Sequence, residues 1–162
     1  MTAYFDTSAL AKLLRPEPGG DIARAAIVDA DLRATSAISY PELCATVAGW
    51  DPRPGSPGMR AAGRELELFW PSLFVLDVDE ATAHHAGELA LRHHLRGMDA
   101  IHVASAIEIA GESPGTLSFV SWDNDQRAAA GKEGLTVVPE SGDPPTGRAP
   151  RSVISARLRT HR

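Results

Sequence analysis

Four carboxylates in this 162-residue chain stand where they could do chemistry together: Asp6, Glu42, Asp99 and Asp123. Each is embedded in apolar sequence, as Tyr4-Phe5-Asp6, Glu42-Leu43-Cys44, Met98-Asp99-Ala100-Ile101 and Val120-Ser121-Trp122-Asp123. Carboxylates so flanked are expected to be partly buried. Gathered in one shallow pocket they would repel, and their pKa values would rise unless a cation joined them. A hard divalent cation with oxygen ligands resolves that repulsion. Mg²⁺ or Mn²⁺ fits, because Mg²⁺ keeps several waters and takes its other ligands from a few carboxylates and from substrate phosphate oxygens. Such a metal lowers the pKa of a bound water, orients it and stabilises charge developing on a phosphate. The chemistry expected is metal-dependent phosphodiester cleavage. Asp125, two residues after Asp123, is an additional or competing ligand candidate. Singly, Asp6, Asp99 and Asp123 also stand where helix caps and first-turn acids are common. Glu42 alone reads as a surface acid. The functional reading comes from the conjunction.

Short β-type runs alternate with helical runs, and these elements must carry the acids. Strands are predicted over residues 3–5, 32–35, 72–76, 116–121 and 135–138. Helices are predicted over 8–14, 21–29, 39–50, 59–69, 79–92, 98–110 and 123–133. Ser39 and Asp79 read as N-caps, Gly111 as a stop signal, and residues 51–58, with three prolines and two glycines, as a loop. Strands alternating with helices imply a parallel sheet in a layered α/β fold. Ligands then bind beyond the carboxyl ends of the strands. Asp6 and Asp123 sit at two such ends, while Glu42 and Asp99 open helices.

At this point the residues resemble a known family. The segments Tyr4-Phe5-Asp6-Thr7-Ser8-Ala9-Leu10, Ser39-Tyr40-Pro41-Glu42-Leu43, Met98-Asp99-Ala100-Ile101-His102-Val103-Ala104-Ser105-Ala106 and Val120-Ser121-Trp122-Asp123 are similar to those of PIN-domain ribonucleases. The likeness is to the VapC-type toxins of bacterial toxin–antitoxin pairs, and it extends to about residue 138. It implies a three-layer α/β/α fold around a central parallel β-sheet. It also implies Mg²⁺- or Mn²⁺-dependent endonucleolytic cleavage of RNA, blocked by a cognate antitoxin, and a homodimer or an antitoxin complex. Asp6, Glu42, Asp99 and Asp123 would form the acidic metal cluster. Ser8 would hydrogen-bond within it, and Ser121 would keep the hydroxyl for which the family usually has threonine. Trp122 is bulkier than the residue usual before the last aspartate and could narrow the site. That departure supports an alternative, a catalytically inactive PIN-like module binding RNA or protein. A D-x-D phosphatase is disfavoured, because position 8 is serine.

Composition sets the remaining bounds. One domain is expected over residues 1–139, followed by an arginine-rich, disordered tail over 140–162. The tail holds five arginines against two acids, net +3, which leaves −8 for the rest. An acidic body does not itself suggest nucleic acid, but four of its acids are proposed metal ligands. With one cysteine, Cys44, there is no disulfide framework, and Cys44 reads as a core residue. No apolar run is long enough to span a membrane, and no signal peptide precedes Asp6, so a cytoplasmic location is expected. The pairs His84-His85 and His93-His94 lack the i, i+4 spacing of a helical zinc site and read as solvated or packed. His102, three residues after Asp99 on the same helix face, reads as a structural histidine with a possible bond to the acidic site. Arg96 reads as a surface arginine, and Trp50 and Trp70 as packing residues.

Overall fold

β1 (Thr2–Phe5) runs through the middle of the molecule, and Ala3, Tyr4 and Phe5 have no exposed surface. A parallel strand covered on both faces has to be apolar on both, and Ala-Tyr-Phe meets that demand. The computed structural model describes residues 1–51, 53–112 and 115–140. The tail expected from residue 140 lies, from residue 141, outside the described residues. After β1 come α1 (Thr7–Leu14), α2 (Gly20–Asp29), β2 (Leu32–Ser36), α3 (Ser39–Gly49), α4 (Pro57–Phe69), a 3₁₀ turn (Trp70–Ser72) and β3 (Phe74–Leu76). Then follow α5 (Glu80–His93), α6 (Gly97–Glu112), β4 (Leu117–Val120), α7 (Asn124–Lys132) and β5 (Thr136–Val138).

The strands form one parallel sheet in the order β3-β2-β1-β4-β5. Alternate residues of β1 feed two separate cores. Ala3 and Phe5 pack with Leu10, Leu43, Leu66 and Val120 under α1–α4. Tyr4 packs with Ala34, Leu89, Val103 and Phe119 under α5–α7. The expected three layers are therefore present. Tyr4 is paired in register with Phe119, and their rings stack with centroids 5.6 Å apart and planes 5° from parallel.

Asp6, Asp79 and Asp123 cap α1, α5 and α7 through their side chains. Four local expectations are corrected. Ser39 does not cap α3. It lies in the first turn, Ile38 holds the cap position, and the Ser39 hydroxyl bonds Thr35 Oγ1 at 2.6 Å. α4 starts inside the expected loop, because Ser56 accepts the Met59 N–H and Pro57 suits a first helical position. Gly111 does not stop α6, which runs on to Glu112; a glycine weakens a helix without terminating it. Cys44 is exposed, because α3 buries Ser39, Leu43 and Val47 and position 44 lies a further 100° around the axis.

Candidate active site

The turns after β1 and β4 lie side by side at the carboxyl edge of the sheet. Connections leave β1 towards β2 and return beside it at β4, and open parallel sheets leave a crevice at such a switch. A cleft of about 480 Å³ opens there, and Asp6, Glu42, Asp99 and Asp123 all line it. Ser8 lines it too, and Ser121 is buried behind Asp6. Asp125 is exposed at the start of α7 and is not among the lining residues.

Asp6 is the deepest of the acids, 1% exposed. Its Oδ1 accepts the Ala9 N–H at 2.8 Å, its Oδ2 accepts the Ser121 hydroxyl at 2.7 Å, and the Ser8 hydroxyl lies 2.8 and 2.9 Å from the two oxygens. The serines are themselves held. Ser8 Oγ accepts the Trp122 N–H at 2.8 Å, and Ser121 Oγ accepts the Asp123 N–H at 3.0 Å. They thus tie the end of β1 to the end of β4. Burial pushes the Asp6 carboxyl above its ordinary value, against a partial pull back from His102, Ser121, the Ala9 N–H and Ser8.

Glu42, in the first turn of α3, offers Oε2 to two donors, the Thr7 hydroxyl and His102 Nε2, the latter at 2.9 Å. Burial opposes its ionisation, but the bonds from His102 and Thr7 outweigh that and hold the carboxyl below its ordinary value. Asp99, in the first turn of α6, accepts Arg96 Nε at 2.8 Å and Gln126 Nε2 at 3.2 Å. Asp123 Oδ1 accepts the N–H groups of Asp125 and Gln126. The capping reading and the cleft reading of Asp123 are therefore both met. Among the described residues no three Asp, Glu, His or Cys side chains converge tightly enough to form a ready-made metal cage.

Sequence reasoning missed Thr7, Lys12 and Gln126. Lys12 carried a signal, being a lone cation in the apolar run Ala9-Leu10-Ala11-Lys12-Leu13-Leu14. Its side chain is 2% exposed. Nζ donates to the Pro18 carbonyl at 2.9 Å and lies 4.9 Å from the Trp122 ring centroid. Trp122 is 7% exposed, packs against Gly19 and forms part of the cleft wall. Gly19 adopts φ +82°, and a Cβ there would meet Trp122 Nε1 at 2.6 Å. Gly19→Ala combines a disfavoured backbone with that clash. It is expected to destabilise by more than about 1 kcal/mol, read as a lower urea midpoint. Trp50 also lines the cleft, with the Arg15 guanidinium 5.6 Å from its ring centroid. Two other histidines are engaged away from the cleft: His93 Nε2 lies 2.6 Å from Glu133, and His84 3.8 Å from Glu80.

A family model described as the PIN domain matches residues 3–132. The chain belongs to the PIN-domain family. It is 35% identical over 143 residues to Ribonuclease VapC49 of Mycobacterium tuberculosis, covering 87% of this chain and 97% of that one. Among solved structures it resembles FitAcB from Neisseria gonorrhoeae, with TM-score 0.64 and 21% identity over 84% of this chain and 96% of that one. It also resembles VapC20 of Mycobacterium tuberculosis, described as a sarcin–ricin loop cleaving toxin, with TM-score 0.60 and 19% identity over 79% of this chain and 95% of that one. At these identities the two structural likenesses speak for the PIN fold.

Proposed function

We propose that this PIN-domain chain is a metal-dependent endoribonuclease toxin neutralised by a cognate antitoxin protein. The observation that carries the reading is the cleft itself, where the buried Asp6 is joined by Glu42, Asp99 and Asp123. The relative named Ribonuclease VapC49, matched over nearly its whole length, supports the RNA substrate and the toxin role. A toxin–antitoxin complex from Klebsiella pneumoniae with the same fold supports an antitoxin partner. A homodimer and a cytoplasmic location belong to the same proposal. Among the described residues no helix is long and apolar enough to cross a membrane.

The donor set fits Mg²⁺ or Mn²⁺, being all carboxylate oxygen, with one member buried at a cost to its charged form. Asp6, Glu42, Asp99 and Asp123 would hold the ion. When bound, it supplies water activation and neutralises charge on the phosphate. The chain's own residues prepare the site. Ser8 and Ser121 hold both Asp6 oxygens, so the carboxylate is fixed before any ligand arrives. Arg96 shares Asp99 and sets a positive charge beside the acids. Its side chain is 51% exposed, so the charge acts weakly. Arg96→Gln is expected to tighten Mn²⁺ binding by up to about fivefold, read by calorimetric titration of the metal-free protein.

The reading is tested by incubating the purified protein with a panel of structured RNAs in Mg²⁺, Mn²⁺ or EDTA. Cleavage is expected with metal, none in EDTA, and none from Asp99→Asn. Mn²⁺ binding without cleavage of any RNA would favour the inactive binding module.

A further inference from the structure

Tyr4, His102 and Glu42 form a continuous hydrogen-bonded chain from the core to the cleft. Tyr4 Oη lies 2.9 Å from His102 Nδ1, and His102 Nε2 lies 2.9 Å from Glu42 Oε2. Tyr4 is 0% exposed and His102 1%. The direction of each bond follows from what the groups can donate. An ionised carboxylate only accepts, so the proton between His102 and Glu42 belongs to Nε2. In the imidazolium both ring nitrogens would donate; in the neutral imidazole that is the one ring proton, and Nδ1 is an acceptor. The Tyr4 phenol then donates to it.

We infer that Tyr4 and His102 are positioning residues that orient Glu42. The Tyr4 hydroxyl selects the Nε2–H tautomer of His102, and that N–H, with the Thr7 hydroxyl, pins Glu42 Oε2. Oε1 is left without a protein donor among the described residues and is the oxygen available to a cation. The inference rests on the reading of this cleft as a metal-dependent active site and adds how Glu42, far less buried than Asp6, is held. Glu42 needs such a hold more than Asp6 does. Its side chain is 30% exposed and has three side-chain torsions of its own, and neither backbone N–H groups nor serines fix it. His102 can supply the hold because α6 is anchored in the core by Ala100, Val103, Ala104 and Ala106, all without exposed surface. Tyr4 fixes the other end from the central strand.

Three measurements test this. Long-range ¹H–¹⁵N NMR of the metal-free wild type at mildly alkaline pH should show His102 protonated on Nε2 and bare on Nδ1; a proton on Nδ1 would overturn the inference. Mn²⁺ titration should show His102→Ala weakened by about 10–100-fold, the scale of groups that orient metal ligands. His102→Gln, whose amide N–H reaches a similar distance, should recover most of that loss. Tyr4→Phe keeps the ring volume and should weaken Mn²⁺ several-fold while admitting the second tautomer. In RNA cleavage these variants should lose kcat with KM unchanged. Wild-type Mn²⁺ affinity in both His102→Ala and Tyr4→Phe, or glutamine doing no better than alanine at 102, would also overturn it. Failure of the wild type to cleave any RNA would sink the nuclease reading alone, since the NMR and Mn²⁺ results still decide how Glu42 is held.

Discussion

Asp6→Asn is expected to lower RNA cleavage by at least about 10²–10³-fold, the scale on which single electrostatic groups act in active sites, while the fold survives. Asparagine matches the shape and keeps an oxygen for the Ala9 N–H, so α1 retains its cap. It removes the negative charge at the deepest point of the cleft. Stability should move the other way. Burial raises the Asp6 pKa in the folded chain, so between the ordinary carboxylate value and the raised one the folded state holds a proton that the unfolded state has released. Stability therefore falls as pH rises through that window and stays lowered above it. The variant lacks this slope. In EDTA at neutral pH its thermal midpoint should equal or exceed that of the wild type, and the difference should shrink as pH falls towards the ordinary carboxylate range. Full activity in the variant would sink the assignment of Asp6. A lower midpoint in EDTA at neutral pH would show that the hydrogen bonds from Ser8 and Ser121 outweigh the desolvation of the charge.

Phe119→Ala should cost about 3–5 kcal/mol, which for a chain of this length lowers the thermal midpoint by roughly 6–20 °C. Phe119 has no exposed surface, lies on β4 between β1 and β5, and stacks face to face on Tyr4. The sheet backbone on both sides is tied into parallel ladders and cannot collapse into the space left by the ring. Most of the cavity would remain, so the cost should fall in the upper part of the range for large-to-small changes. A denaturant titration reads the effect directly, and a loss under about 1 kcal/mol would mean that the second core repacks freely. The change should also reach the cleft, because Tyr4 would lose the surface that fixes its ring and with it the geometry of its bond to His102.

Much of this was legible in the residues. A strand as short as Ala3-Tyr4-Phe5 is readable because both faces are buried and the run ends at an aspartate. The four cleft acids were readable because each follows a strand or opens a helix in apolar surroundings. What could not be read depends on contacts between segments far apart in the chain. Thr7 bonds Glu42 35 positions away, and Gln126 bonds Asp99 27 positions away. No local pattern marks such partners. Cys44 was misplaced for a different reason: an apolar-looking stretch of α3 buries only a narrow stripe, and one residue of phase decides which side chains belong to it. From its sequence position His102 reads as a core residue three places from Asp99, and the structure makes it both a buried residue and a partner of Glu42.

The place of β1 at the centre of the sheet has a consequence for how the protein is made. Its partners are β2 nearby in sequence and β4, where Thr2 is aligned with Leu117. During synthesis on a ribosome, β1 must wait for β4, more than a hundred residues later, before its second edge is satisfied. Until then Tyr4 lacks Phe119, Phe5 lacks Val120, and Asp6 lacks Ser121. Long-range pairing of this kind slows folding and leaves an apolar edge open meanwhile. It also means that a nascent chain cannot assemble the cleft before Asp123 has left the exit tunnel, so a cell making this nuclease is shielded from each copy while residues 1–123 are still emerging.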